Sequence, residues 1–165
     1  MRATQKFLSL AAVLGATLAF AGMPAANAAT HAEVSGQSEL LVEMNAARAK
    51  HNVTPLRLSH VLTRPARRHG EYLTRTGELD HDGVDGKPFY VRLYKAGFSR
   101  RKAVGENLGM SSGCATDLAK TMVQMWLDSP GHRANLLSKR FKVVGLAVVA
   151  APDCSNTVYA TDFGG

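Results

Sequence analysis

Two histidines and one glutamate stand at positions that no buried helix or strand face explains. His81 lies in a glycine- and aspartate-rich stretch, Glu106 lies between Gly105 and Gly109, and His132 directly follows a Pro-Gly pair. Two imidazoles and a carboxylate suit one divalent metal, with zinc as the first candidate and water as the remaining ligand. They equally suit a general base and acid. Because gaps of about 25 residues match no ligand motif, three independent polar side chains remain the alternative.

Two other patterns of reactive residues do not fit the chain around them. Residues 109–113 read Gly-Met-Ser-Ser-Gly, like a nucleophile elbow, and Asp128 and His132 follow in the order of a hydrolase triad. That elbow needs a parallel strand and a large doubly wound sheet, which this short chain lacks. The carboxylates of Asp80, Asp82 and Asp85 have the wrong spacing for a calcium loop, since no glutamate stands at its twelfth position.

The chain contains two cysteines, Cys114 and Cys154. An even count in an exported protein predicts one disulfide, which would close a loop of about 40 residues. It leaves no thiols for a cysteine-based zinc site.

The spacing of apolar residues, together with capping and turn residues, predicts the helices and strands that must position these residues. Helices are expected from Ser38 to His51, from Ser59 to Thr76, from Phe89 to Ala96 and from Thr116 to Ser129. Strands are expected over 141–150 and 156–163, paired as an antiparallel hairpin, with a short extended bridge at 56–58. Residues 77–88 and 103–109 are interpreted as a loop and a compact connecting segment. Pro65 predicts a kink or a late start in the second helix.

Two helices show a clear buried face. Leu62, Ala66, His69 and Leu73 recur at spacings of three and four, so His69 is interpreted as a hydrogen-bonded core histidine rather than a ligand. The last long helix buries a stripe that is typical of a core, made of Leu118, Met122, Met125 and Trp126.

The 165 residues divide into a signal peptide over 1–28, a flexible leader over 29–37 and one domain over 38–165. The first segment has a basic start, an apolar stretch and an Ala26-Asn27-Ala28 cleavage pattern. The predicted product is secreted or periplasmic, and no later segment is long and apolar enough to span a membrane.

The net charge of the sequence is +7. Clusters at 64–68 and 100–102 are interpreted as a solvated basic face, with an anionic envelope or membrane surface as the alternative partner. Nucleic acid is not expected, because no aromatic residues alternate with the charges. We expect a monomer.

The order of these motifs resembles that of the CAP superfamily, in its bacterial SCP-like branch. The resemblance is carried by Gly105-Glu106-Asn107-Leu108, by the run from Trp126 through His132 to Asn135, and by Phe141-x-x-x-Gly145. Asn45-x-x-Arg48, His69, His81 and Arg92-Leu93-x-x-Ala96-Gly97 fall in the same order, so the similarity covers nearly all of 39–164.

This resemblance implies an α+β fold, a three-layer α-β-α sandwich with a central antiparallel sheet. It implies a cleft in which His81, Glu106 and His132 hold a divalent metal, most often zinc. Eukaryotic members have a second acid three positions after the helix tryptophan, where this chain has Ser129. The adjacent Asp128 would point about 100° away around the helix.

The resemblance further implies an exported module that binds a small apolar ligand or a component of the cell envelope. No activated nucleophile is evident, which favours binding over catalysis. A metal-assisted hydrolase acting on peptides or cell-wall polymers is the alternative.

Overall fold

The computed structural model describes residues 25–165, with side chains described from residue 32 onward. It contains five helices and four strands in this range. The helices are α1 (Ala25–Lys50), α2 (His60–Thr76), α3 (Phe89–Lys95), α4 (Ala119–Asp128) and α5 (Pro130–Leu136). The strands are β1 (Arg57–Leu58), β2 (Val104–Ser112), β3 (Val143–Ala150) and β4 (Asn156–Gly164).

The four strands form one sheet in the order β1-β3-β4-β2. The predicted hairpin is confirmed, since β3 pairs antiparallel with β4, and β2 pairs antiparallel with the other side of β4. The two-residue strand β1 pairs parallel with β3. Strand β2 therefore lies at one edge of the sheet.

Helices cover both faces of this sheet and create two apolar cores. Alternate residues of β3 and β4 face α1, α4 and α5, where Trp126, Leu146 and Phe163 are buried together. The residues between them face α2, where Ala66, Ala147 and Ala160 pack. The predicted three-layer α+β sandwich is confirmed. Because β3 is covered on both faces, its sequence is continuously apolar apart from Gly145.

Helix α2 matches its predicted bounds. Ser59 precedes it in an extended conformation, and Gly77 ends it in the left-handed region with φ of 71°. The helix continues through Pro65. A Cβ atom added at Gly145 would lie 2.1 Å from the carbonyl carbon of Leu62, so glycine lets α2 lie directly on β3.

The flexible leader predicted for 29–37 is wrong, because helix α1 begins at Ala25 and includes it. Ser38, predicted as an N-cap, lies within the helix and donates its hydroxyl to the Val34 carbonyl at 3.0 Å. Alanine has the highest helix propensity, and four of the five residues at 25–29, where the helix starts, are alanine. Tertiary contacts also hold it, since Gly36 is buried beside Thr116 and Glu33 pairs with Arg67 at 2.9 Å. The predicted signal peptide lies outside the described residues up to position 24.

Three further predictions need correction. Residues 103–109 belong mostly to strand β2, since pairing along β4 supplies the backbone partners that the local sequence does not indicate. Helix α4 begins at Ala119, and Met125 on it is 53% exposed rather than buried. The Pro-Gly pair at 130–131 begins helix α5, because proline is well suited to the first position of a helix.

The predicted disulfide joins Cys114 to Cys154 and connects the segment before α4 to the β3–β4 turn. Within residues 25–165, no helix combines the length and the hydropathy that crossing a membrane requires.

Candidate functional site

Edge strand β2 carries Glu106 on the face that lies toward α2 and α3. Its side chain is 1% exposed, and its partner in the register of β4 is Asp162, which is fully buried. Two carboxylates directly opposite each other repel. Arg92 of α3 offsets this repulsion, because its Nη2 atom pairs with Glu106 Oε2 and lies 3.9 Å from Asp162 Oδ1.

The loop between α2 and α3 places His81 against the same carboxylate. His81 Nδ1 donates to Glu106 Oε1 at 2.7 Å, and Arg92 Nη1 donates to the His81 carbonyl at 2.9 Å. The glutamate and the arginine therefore fix both the ring and the backbone of His81. The histidine side chain is still 51% exposed, so it lies at the mouth of the cleft.

Helix α5 brings His132 to this edge from the opposite layer. Asn107 Nδ2 donates to the His132 carbonyl at 3.0 Å, and Asn135 Nδ2 donates to the Glu106 carbonyl at 2.9 Å. These two amides attach α5 to β2. The rings of His81 and His132 consequently lie 6.5 Å apart between centroids.

The protonation states follow from burial and neighbouring charge. Burial lowers the pKa of His81, and the positive charge of Arg92 lowers it further. Burial and the adjacent His81 lower the pKa of His132. Burial raises the pKa of Asp162 to about 7, although Arg92 opposes this rise. Both imidazoles are therefore biased toward the neutral form, in which a ring nitrogen can accept a hydrogen bond or bind a metal.

The three residues singled out from the sequence lie at one place in the fold. Glu106 contacts His81, and the His81 and His132 rings are neighbours tilted by 44° to each other. Across the part of the chain that the structure describes, no three His, Cys, Asp or Glu side chains converge as a metal cluster. Both carboxylate oxygens of Glu106 are already bound, by His81 and by Arg92. The ring nitrogens of the two histidines that do not contact Glu106 are thus the atoms best suited to hold a metal.

Sequence reasoning does not single out two residues of this site. The sequence points to Arg92 only as part of a motif. It does not point to Asp162, although a fully buried acid on a strand is an unusual feature. Ser129, which stands where eukaryotic members of the family have an acid, separates α4 from α5. Asp162 supplies a buried second acid from a different element.

His69 behaves as predicted for a core histidine. It is 4% exposed, and its Nε2 atom donates to the Asp80 carbonyl at 2.7 Å. Burial, helped by the charge of Arg92, lowers its pKa to about 4. His69 therefore holds the start of the loop that carries His81.

Comparison with known proteins agrees with this architecture. The Bacillus subtilis protein YkwD is 30% identical over 118 residues, a match that covers 70% of this chain and 44% of that protein. The chain thus spans less than half of this curated relative.

Two solved structures share the fold. One is an extracellular protein containing an SCP domain from Bacillus anthracis, with a TM-score of 0.69, 23% identity and coverage of 87% of this chain and 44% of the other. The other is an outer surface protein from Borrelia burgdorferi, with a TM-score of 0.65, 20% identity and coverage of 79% of this chain and 92% of the other.

The family model for the cysteine-rich secretory protein family matches residues 41–163, a range that includes His81, Arg92, Glu106, His132 and Asp162. This match covers most of the chain. The chain belongs to the cysteine-rich secretory protein (CAP) family.

Proposed function

We propose that this protein is an extracytoplasmic binding module whose cleft holds a divalent metal, zinc first, between His81 and His132. The observation that carries the proposal is the pair of neighbouring imidazoles, 6.5 Å apart between centroids, both with lowered pKa. Two imidazoles on one zinc ion have centroids on the order of 5 Å apart, given Zn–N distances near 2 Å. The two rings would therefore have to approach each other by roughly 1.5 Å when a metal binds.

Glu106 has a supporting role in this proposal. A metal-binding histidine usually donates its second ring N–H to a carboxylate, which fixes the tautomer and the orientation of the ring. The Nδ1 donation from His81 to Glu106 has this form and leaves Nε2 for the metal. Because Arg92 neutralises Glu106, we expect weaker binding than at a site with three free ligands.

The same ion pair favours binding over hydrolysis. A metal at this site would supply a Lewis acid, and hydrolysis would also need a base to accept a proton from water. Glu106 is a poor base while it is paired with Arg92 and His81. The metal-assisted hydrolase of peptides or cell-wall polymers is therefore the second candidate. It requires turnover that zinc supports and that Glu106→Gln abolishes.

An extracytoplasmic location is supported by the apolar start of the sequence and by the disulfide, which persists in oxidising compartments. The ligand of the module is proposed to be a component of the cell envelope or a small apolar molecule.

Thermal unfolding with and without zinc tests the metal site. At zinc about 100 times above Kd, binding stabilises by about 2.7 kcal/mol and raises Tm by roughly 10 °C. The variant in which His81→Ala and His132→Ala are combined should lose this shift. His51→Ala, which removes an exposed histidine after α1, should keep it.

Equal shifts in the wild type and in the double variant would place zinc elsewhere. An unchanged Tm of the wild type at all zinc concentrations would overturn the metal proposal.

A further inference from the structure

A pocket lies beside the cleft, and Arg92, which pairs with Glu106, also lines this pocket. It has a volume of about 330 Å³ and opens between α2, α3 and the turn at 83–85. Its lining includes four cations, one carboxylate and two largely apolar side chains: Arg64, Arg68, Arg92, Lys95, Asp85, Tyr72 and Val84. This volume is at the lower end of the range of ligand pockets, about 300–1,000 Å³. A small molecule, or one end of a larger one, would fill it.

Two of the four cations have no counter-charge among the side chains that the structure describes. Within residues 32–165, no carboxylate lies within ion-pair distance of Arg64 or Arg68, whereas Arg92 pairs with Glu106, and Lys95 with Asp85 at 3.4 Å. Arg64 and Arg68 are four residues apart on α2, so their guanidinium groups repel each other on one helix face. A bound anion would relieve this repulsion.

The pocket holds one of the arginines in place before any ligand binds. Arg64 Nη2 donates to the carbonyl of Ala96, at the end of α3, at 3.3 Å. This bond spans the two helices that form the walls. It therefore restrains the guanidinium at the rim of the pocket, with further N–H groups left to bind an anion.

Tyr72 and Val84 give the pocket an apolar side. Val84 is 79% exposed and belongs to a hydrogen-bonded turn. The Gly83 amide donates to the Lys87 carbonyl, and the Gly86 amide donates to the Gly83 carbonyl, both at 2.8 Å. Val84 and Tyr72 thus present an apolar surface next to two arginines that form no ion pair within residues 32–165.

We propose that this pocket binds a phosphate monoester that carries an apolar group. The phosphate dianion matches the two guanidinium groups of Arg64 and Arg68, and arginine binds phosphate through paired N–H donors. The apolar group packs on Tyr72 and Val84. This inference deepens the binding-module proposal, on which it rests, by naming a ligand class and a place for it. It does not depend on the metal.

The phosphate can come from a soluble ester or from a lipid headgroup, and two probes separate these sources. Phenyl phosphate and the short-chain lipid dihexanoyl phosphatidic acid are titrated into the full chain, followed by NMR and calorimetry. We expect at least one of them to bind with shifts centred on Tyr72 and Val84, and the tighter of the two identifies the source. Inorganic phosphate has only the anionic group, and phenol has only the apolar ring. Each should bind at least about tenfold more weakly than the esters.

Matched arginine variants locate the site. Arg68→Gln should weaken binding by about tenfold, the usual effect of removing one charge-assisted hydrogen bond. Arg101→Gln removes the same charge from an exposed turn outside the pocket and should change affinity less than about twofold. The combined His81→Ala and His132→Ala variant should bind as the wild type does, which separates this inference from the zinc site.

Three results would overturn the inference: no binding of either ester, equal weakening by Arg68→Gln and Arg101→Gln, or inorganic phosphate binding as tightly as the esters. A positive zinc test combined with any of these would leave the metal proposal standing alone.

Discussion

Arg92 connects the buried acids of the cleft with the loop that carries His81. It pairs with Glu106, approaches Asp162 and binds the His81 carbonyl. Without it, two buried carboxylates would face each other across neighbouring strands. A charge in the interior is expensive when its partner is removed.

Arg92→Met is therefore expected to destabilise the fold by about 3–5 kcal/mol at pH 8. The loss should shrink at pH 5, because a buried carboxyl with a raised pKa takes up its proton and becomes neutral. Urea denaturation at the two pH values measures both effects. Adding Asp162→Asn should restore part of the stability at pH 8. An Arg92→Met variant as stable as the wild type there would contradict the ion-pair arrangement.

His69 predicts a separate pH dependence. Its pKa falls to about 4 on folding from an ordinary value near 6.5, so the unfolded chain binds the proton more readily. This group's contribution to stability is complete above pH 6.5 and is lost as the pH falls toward 4, by up to roughly 3 kcal/mol. In His69→Gln the loss over this pH window should be smaller than in the wild type. Parallel curves for the two proteins would show that His69 is not the cause.

The types of the three site residues can be predicted from the sequence, but their relations to one another cannot. Loop position and glycine neighbours indicate His81, Glu106 and His132. That Asp162 stands opposite Glu106 depends on the register of β2 with β4, and no local pattern specifies that register. The role of Arg92 depends in turn on this pair of acids.

At the scale of elements, the edge strand β2 is held by side chains of α4 and α5. Trp126 Nε1 donates to the Leu108 carbonyl at 2.9 Å, and Asn135 Nδ2 donates to the Glu106 carbonyl two residues away. The long motif from Trp126 to Asn135 thus attaches two helices to one strand. His132 lies between these two attachments.

Asn135→Ala should loosen α5 and displace His132. We expect a loss of about 1–3 kcal/mol of stability, because the Glu106 carbonyl loses a buried donor. Zinc affinity should also fall if His132 is a ligand. Gln124→Ala removes an exposed side-chain hydrogen bond to Asp128 on α4. This variant serves as the control in calorimetry and zinc titration. Equal effects of the two substitutions would argue against a positioning role for Asn135.

Helices with strong periodicity and clear end signals are predictable, and α2 matches its predicted bounds. Elements that are stabilised by partners distant in the sequence are not predictable in this way. The sequence predicts a connecting segment in place of β2, because glycines and polar residues hide the pattern of a strand. It predicts a flexible N-terminal part of α1, because the packing of this part against Thr116 and Arg67 involves residues far along the chain.

At the scale of the whole molecule, the sandwich follows from the motifs, and the disulfide lies directly beyond the end of the β2–β4 pairing. Ser112 pairs with Asn156, and the Gly113 amide donates to the Ser155 carbonyl at 3.2 Å. Cys114 and Cys154 are separated by 40 residues. Closing a loop of this size stabilises by about 4 kcal/mol in the chain-entropy model.

Replacing both cysteines in a Cys114→Ser and Cys154→Ser variant should therefore lower stability by about 2–4 kcal/mol. Denaturation curves of the wild type with and without reductant should differ by a similar amount, and the variant should not respond to reductant. Intact mass of the oxidised wild type should lie two hydrogens below the reduced value. An unchanged midpoint in the variant would show that the bond adds nothing to the stability of the fold.

The way in which the two edge strands of the sheet are covered has a consequence for self-association. Exposed strand edges act as templates on which further strands add, and this is how β-rich aggregates grow. Here β1 offers two residues, and the middle of β2 already accepts bonds from Trp126 and Asn135. Strand addition at the β2 edge of the native protein would first require α4 and α5 to detach. We therefore expect the rate of this local opening, rather than protein concentration, to set the lag before aggregation.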